Sequence, residues 1–155
     1  MANANLLKKL YLFKDLSDAE IDVIEGATKT VAFGPGEEVF SQGERARALY
    51  IIQSGSVKVH QTAENGETVE ITRIGAGSHF GEMSFLDGEP RSATATALER
   101  TEIITVDYDK LSRIMIEYPG ISVHFYRQFA NFLCGRLRVT TKDLSFSRSK
   151  ILSHF

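Results

Sequence analysis

The chain reads as mainly β with flanking helices: an antiparallel β-roll, a double-stranded jelly roll, with short N-terminal helices and a long C-terminal helix. Three observations predict this class. Short β-branched or aromatic runs with near-alternating polarity fill the middle of the sequence. Glycine-centred turns punctuate them at regular intervals: Gly34-Pro35-Gly36, Gln42-Gly43, Ser54-Gly55, Asn65-Gly66 and Gly75-Ala76-Gly77. Helical spacing of apolar residues is confined to the two ends. At 155 residues the chain is expected to form a single domain spanning 1–155.

The expected division is N-terminal helices over 1–28, a β-roll over 29–107 and C-terminal helices over 108–150. In the first part, Leu6, Leu7, Leu10 and Leu12 suggest a helical turn or two. Ser17-Asp18-Ala19-Glu20 has the spacing of a capping box, which starts a helix near Asp18 whose Ile21 and Ile24 dock on the core with Leu16. Strands are predicted at 30–33, 38–41, 49–53, 56–61, 68–74, 91–98 and 102–107. Asn65-Gly66 between two of them is a strong hairpin signal, because both residues accept positive φ. A helix over 108–118 follows, and Pro119 suits the first turn of the next. There Phe125, Phe129, Phe132, Leu133, Leu137 and Leu144 recur at spacings of three and four, an apolar stripe on a helix of about 25 residues. Such a stripe covers the chain's own barrel, pairs with a second copy, or does both.

Composition removes several function classes. Eighteen basic residues against 20 acidic give a net charge of −2, which gives no support to non-specific nucleic-acid or membrane-surface binding. The single cysteine, Cys134, cannot form an internal disulfide or a structural zinc site. The opening decapeptide lacks the charged-then-apolar order of a signal peptide, and no apolar run reaches the roughly 20 residues that span a bilayer. A cytoplasmic location is expected. His60, His79, His124 and His154 are scattered, and no His-x-His occurs. His79 and Glu82, three apart in extended chain, are expected to point to opposite faces, so no metal site is predicted. Arg136, Arg138, Lys142, Arg148 and Lys150 read as a solvated helix face. Neither clustered metal ligands nor an activated nucleophile is present, so no enzyme and no cofactor are predicted.

The chemistry concentrates in Phe80-Gly81-Glu82-Met83-Ser84-Phe85-Leu86-Asp87-Gly88-Glu89-Pro90-Arg91-Ser92-Ala93. It reads as a strand end, a one-turn helix over 82–86, a tight turn at Asp87-Gly88, and Pro-Arg entering a strand. Gly81 lets backbone approach a ligand closely. Arg91 offers a planar fork matched to two phosphate oxygens, and an ionised Glu82 accepts from a ribose hydroxyl. Plainer readings stand beside these. Arg91 could pair with Glu82 or Glu89 on the surface, Glu82 could cap its short helix, and Ser92 could be an ordinary strand serine.

This stretch resembles the phosphate-binding cassette (80–93) of cyclic nucleotide-binding domains, whose pattern is Phe-Gly-Glu, a short turn, then Pro-Arg-small-Ala. The resemblance extends from the N-terminal helix and the Gly34-Pro35-Gly36-Glu37 turn to the C-terminal helix. It implies that Glu82 holds the ribose 2′-hydroxyl and Arg91 the cyclic phosphate. It implies too that Ser92 gives its hydroxyl and amide to the phosphate, while Gly81 and Met83 line the sugar side through backbone. Arg136-Leu137-Arg138-Val139-Thr140-Thr141 is similar to the adenine-contacting helix of the bacterial catabolite activator (cyclic AMP receptor) proteins, which implies base contacts from Thr140 and Thr141, the second across a subunit interface. Either threonine can instead bond back to its own helix.

The function expected is a receptor domain for cyclic AMP that signals by moving its C-terminal helix, as a homodimer through that helix, to an unnamed protein partner. Two alternatives stay open. One is cyclic GMP, since a hydroxyl after the arginine also occurs in that branch of the family. The other is the sensor fragment of a catabolite-activator-type regulator. A helix-turn-helix module needs roughly 60 further residues, and residues 145–155 cannot hold it, so no nucleic-acid contact is expected of the chain as given.

Overall fold

The computed structural model describes residues 3–152, with side chains described for 3–149. His154 lies outside them. The chain opens with helix α1 (Ala4–Lys9), a 3₁₀ turn (Tyr11–Phe13) and helix α2 (Asp18–Glu25). The capping box forms as its spacing predicts. Ser17 Oγ accepts from the Glu20 amide at 3.2 Å, and Glu20 Oε1 accepts from the Ser17 amide at 3.0 Å.

Eight strands follow: β1 (Thr28–Phe33), β2 (Glu38–Phe40), β3 (Ala48–Ser54), β4 (Ser56–Thr62), β5 (Thr68–Gly75), β6 (His79–Phe80), β7 (Thr94–Ala97) and β8 (Thr101–Asp107). They make two antiparallel four-stranded sheets, ordered β1-β8-β3-β6 and β2-β7-β4-β5. The architecture is the mainly-β roll with flanking helices that the sequence predicts.

In the first sheet the central strands β3 and β8 are buried on both faces. Leu49, Ile51, Ile104 and Val106 point toward the helices, where they join Leu7, Leu12, Phe13, Ile21, Leu111 and Phe125. Ile52 and Ile103, of opposite parity, point into the roll with Phe40, Val57, Phe80 and Ala95. Two faces in apolar surroundings explain why the middle of β8 is an unbroken Ile-Ile-Thr-Val run rather than an alternating one.

Several details differ from the sequence expectation. At the β4–β5 hairpin only Gly66 takes a positive φ, +85°; among the described residues Asp15 is the one non-glycine that does. Asn65 instead accepts from the Glu67 amide with its side chain, at 3.0 Å. The strand expected over 91–98 is shorter, Thr94–Ala97, because the Arg91 backbone pairs elsewhere. Arg91 N–H donates to Glu44 O, and Gly43 N–H donates to Arg91 O, both at 2.8 Å.

The C-terminal region holds α4 (Tyr108–Glu117) and α5 (Pro119–Leu152); α5 is 34 residues, longer than expected. Its apolar positions divide between two faces. Phe125 and Phe129 are buried against the N-terminal turn and α4 together with Ile121. Leu133, Leu137 and Leu144 are exposed, Leu137 by 67%. At about 100° per residue they lie roughly a quarter of a turn round from the phenylalanines. The single stripe expected from spacing is therefore two.

Candidate functional site

The site is organised around Gly81, which follows the two-residue strand β6 at φ +81°. A Cβ there would sit 2.8 Å from Arg91 Nη1 and 3.1 Å from Tyr50 Cδ2, so no larger residue fits without displacing the arginine. After the turn, Glu82 adopts helical dihedrals and leads into the short helix α3 (Met83–Asp87), which Gly88 closes at φ +69°.

Arg91 is a buried cation, 5% exposed. Its Nη1 donates to Gly81 O at 2.9 Å and to Tyr108 Oη at 3.3 Å; its Nη2 donates to Ala48 O at 2.6 Å. Tyr108 Oη itself donates to Gly81 O. The guanidinium carbon lies 4.3, 5.3 and 5.7 Å from the ring centroids of Phe40, Tyr50 and Tyr108, within cation–π range. All of these partners are neutral. Among the described residues no carboxylate lies within ion-pair distance of Arg91. The surface pairing with Glu82 or Glu89 is thereby removed. Burial pushes the Tyr50 and Tyr108 phenols up, and the Arg91 charge offsets part of that.

Glu82 is also buried, 8% exposed, in different company. Its Oε2 lies 3.5 Å from His79 Nδ1, an ion-pair distance too long for a firm hydrogen bond. Here the sequence expectation is corrected: His79 and Glu82 face each other. The alternation that would separate them stops at Phe80, because Gly81 reverses the backbone and Glu82 turns helical. His79 in turn lies against Tyr11 (centroids 4.9 Å apart) and edge-on to Phe132 (6.1 Å), while Tyr11 stacks on Phe132 at 4.5 Å. Burial pushes the Glu82 carboxyl up, but His79, the residue's own amide and Arg136 together bring it below the ordinary carboxylate value. Burial and the Glu82 charge push the Tyr11 phenol well above its usual range. The Glu82 side chain makes no cap hydrogen bond to α3.

The remaining expected residues are placed differently. Met83, Ser92, Thr140 and Thr141 are exposed, and no hydrogen bond among the described residues links them to Arg91 or Glu82. The Ser92 carbonyl accepts from Gln61 Nε2 at 2.9 Å. Thr141 Oγ1 donates to Leu137 O at 2.8 Å, the back-bonded alternative. Gly81, Glu82 and Arg91 are thus brought together through the Gly81–Glu82 backbone, though not onto one open cleft. Two neighbouring clefts of about 360 and 480 Å³ take lining from Tyr50 and Tyr108 respectively, and neither is lined by Glu82 or Arg91. No group of three or more His, Cys, Asp or Glu side chains forms a metal site among the described residues, nor is any described helix long and apolar enough to cross a membrane.

Sequence reasoning missed the aromatic box of Phe40, Tyr50 and Tyr108, and the His79 partner. Tyr50 had a usable signal, since it shares parity with the roll-facing Ile52. Tyr108 had none: it opens a helix, where period-2 patterning stops.

Comparison with known proteins places this arrangement. The family model for the cyclic nucleotide-binding domain matches residues 30–118. A CRP-like cAMP-activated global transcriptional regulator of Mycobacterium tuberculosis is 31% identical over 140 residues, 90% of this chain and 61% of that protein. A cGMP-dependent protein kinase of Eimeria tenella is 35% identical over 113 residues, 73% of this chain and 11% of the kinase. The crystal structure of the Thermus thermophilus catabolite activator protein superposes with a TM-score of 0.75 at 30% identity, over 88% of this chain and 62% of that one. The chain thus spans about 61% of the length of the bacterial regulator it matches. A fold, a cassette and relatives that agree lead to one assignment: the chain belongs to the cyclic nucleotide-binding domain family.

Proposed function

We propose that the chain is a receptor for cyclic AMP that grips the ligand through Arg91 and Glu82 and signals by repositioning α5. The observation that carries this reading is the state of Arg91. A guanidinium removed from water with only neutral partners forgoes several kcal/mol of ionic compensation. The negative charge of a cyclic phosphate supplies it, and the planar fork exchanges a carbonyl such as Ala48 O for phosphate oxygens without giving up its aromatic stack. Glu82, ionised and one peptide from the Gly81 carbonyl, accepts from the ribose hydroxyl. Gly81 and Met83 supply backbone beside the sugar, and Ser92, whose hydroxyl is exposed, reaches the phosphate.

The exposed Leu133, Leu137 and Leu144 support a homodimer through α5, because their spacings of four and seven are those of a coiled-coil seam. Thr140 and Thr141 lie along the same exposed stretch, where a partner helix carries them toward the base. To shift α5 from about 1% to 99% occupancy of a closed position, the ligand must favour that state by roughly 5.5 kcal/mol. The downstream partner is a protein or a further part of a regulator.

Cyclic GMP selectivity is the second reading, favoured by the identity to the Eimeria kinase. Calorimetric titration of the chain with cyclic AMP and cyclic GMP, side by side, separates the two. Tighter binding of cyclic AMP is expected. Tighter cyclic GMP overturns the base assignment, and absence of binding to either overturns the receptor reading. Incubation with cyclic AMP should release no AMP; release would make the chain an enzyme.

A further inference from the structure

We infer that His79 is a positioning residue for Glu82, and that its proton sets how tightly the ribose end of the ligand is held. The inference deepens the receptor reading and rests on it for the ligand, but not for the His79–Glu82 pairing itself.

The geometry carries the argument. The His79 ring is fixed on two sides, by Tyr11 from the N-terminal 3₁₀ turn and Phe132 from α5. Its Nδ1 is buried, has no hydrogen-bond partner among the described residues, and lies 3.5 Å from Glu82 Oε2. An approach of a few tenths of an ångström makes that contact a hydrogen bond. The groups that face this pair are the Tyr11 phenol and, from α5, Arg136. The phenol stays neutral across physiological pH. Arg136 is exposed and stays charged. Of these side-chain types imidazole alone changes charge near neutrality.

When His79 is protonated it holds Oε2 by a charge-assisted contact, so the buried carboxylate stays ionised and oriented, and Oε1 is left to accept the ribose hydroxyl. When His79 is neutral the contact loses its charge assistance, and the carboxylate keeps only Arg136 as a cationic neighbour. The cyclic phosphodiester carries one negative charge throughout the range, so it adds no pH dependence of its own. Affinity for cyclic AMP is therefore expected to be about tenfold tighter at pH 6 than at pH 8, with uptake of up to about one proton on binding at neutral pH.

Two measurements test this. The first needs no nucleotide: the His79 ring is titrated by NMR in the parent and in Glu82→Gln. A lower midpoint in the variant is expected; an unchanged midpoint overturns the pairing. The second is calorimetry with cyclic AMP at pH 6 and pH 8 on the parent, His79→Phe and His79→Gln, with thermal melts confirming that each is folded. His79→Phe, which keeps the aromatic packing, should bind about tenfold more weakly at pH 6 and lose the pH dependence. His79→Gln, an uncharged donor, should recover part of the affinity with a flat profile. Either variant retaining the parent's pH profile overturns the positioning role. Failure of the parent to bind would instead strike the receptor reading, with the NMR measurement still deciding the pair.

Discussion

Arg91 and Glu82 are both more than nine-tenths buried and meet through the same short backbone, yet their charges are held in opposite ways. Arg91 is surrounded by groups whose state does not change near neutral pH: two carbonyls, a phenol and three aromatic faces. Glu82 has instead an imidazole beside it and an arginine from the long helix. The contrast separates two tasks. On the proposed receptor reading, a fixed cation with neutral partners offers constant attraction for an anion, whereas a carboxylate beside a histidine and α5 would register conditions and helix position.

The largest expected effect comes from removing the fixed side. Arg91→Ala, and Arg91→Lys because an ammonium cannot reproduce a stacked planar fork, should lower cyclic AMP affinity at least tenfold, about 1.5–3 kcal/mol, while the barrel still melts cooperatively. Unchanged affinity by calorimetry would take Arg91 out of the site. Gly81→Ala attacks both sides at once. An alanine at φ +81° costs about 1–2 kcal/mol, and its Cβ meets Arg91 Nη1. A melting temperature lower by about 3–8 °C is expected, and one equal to the parent's would show that the turn tolerates a side chain.

Tyr108→Phe removes the phenol that bridges Arg91 and Gly81 O, and should cost about 1 kcal/mol, or about 2–4 °C, with affinity little changed. A tenfold affinity loss would instead make the phenol a ligand contact. The smallest effect concerns acid. The Glu82 carboxyl is held below the ordinary range, so its ionised form adds stability above about pH 5 that is lost as pH falls through the folded value. Melting curves between about pH 5 and pH 3 should fall more steeply for the parent than for Glu82→Gln. Parallel curves would mean that Glu82 does not sense its neighbours.

What was legible in the chain followed local rules. The capping box at Ser17 and Glu20, the strand runs other than that over 91–98 and the start of α5 at Pro119 each depend on a few adjacent residues, and each is found close to where spacing puts it. The identity of Arg91 and Glu82 as the charged pair of the cassette was legible from motif resemblance. Their surroundings were not, because they come from afar. Ala48 lies 43 positions from Arg91, and Tyr11 reaches His79 from the N-terminal 3₁₀ turn, before the first strand. Alternation across His79 and Glu82 misled because a glycine changed the sign of φ between them. Likewise, spacing alone could not divide the apolar residues of α5 into a packed face and a bare one. A step of three or four fits either, and the choice depends on where the helix leaves the body of the domain.

The pairing of β1 with β8 has a consequence for how the molecule is made. Lys29 and Thr105, register partners in that ladder, are 76 positions apart. The first sheet therefore stays unfinished on the ribosome until most of the domain has emerged, and the early strand waits with its edge uncovered. Folding should be late and slow compared with a helical bundle of this size, as expected for pairing that closes so long a loop. During that interval the nascent chain is at its most vulnerable to chaperones, proteases and wrong partners.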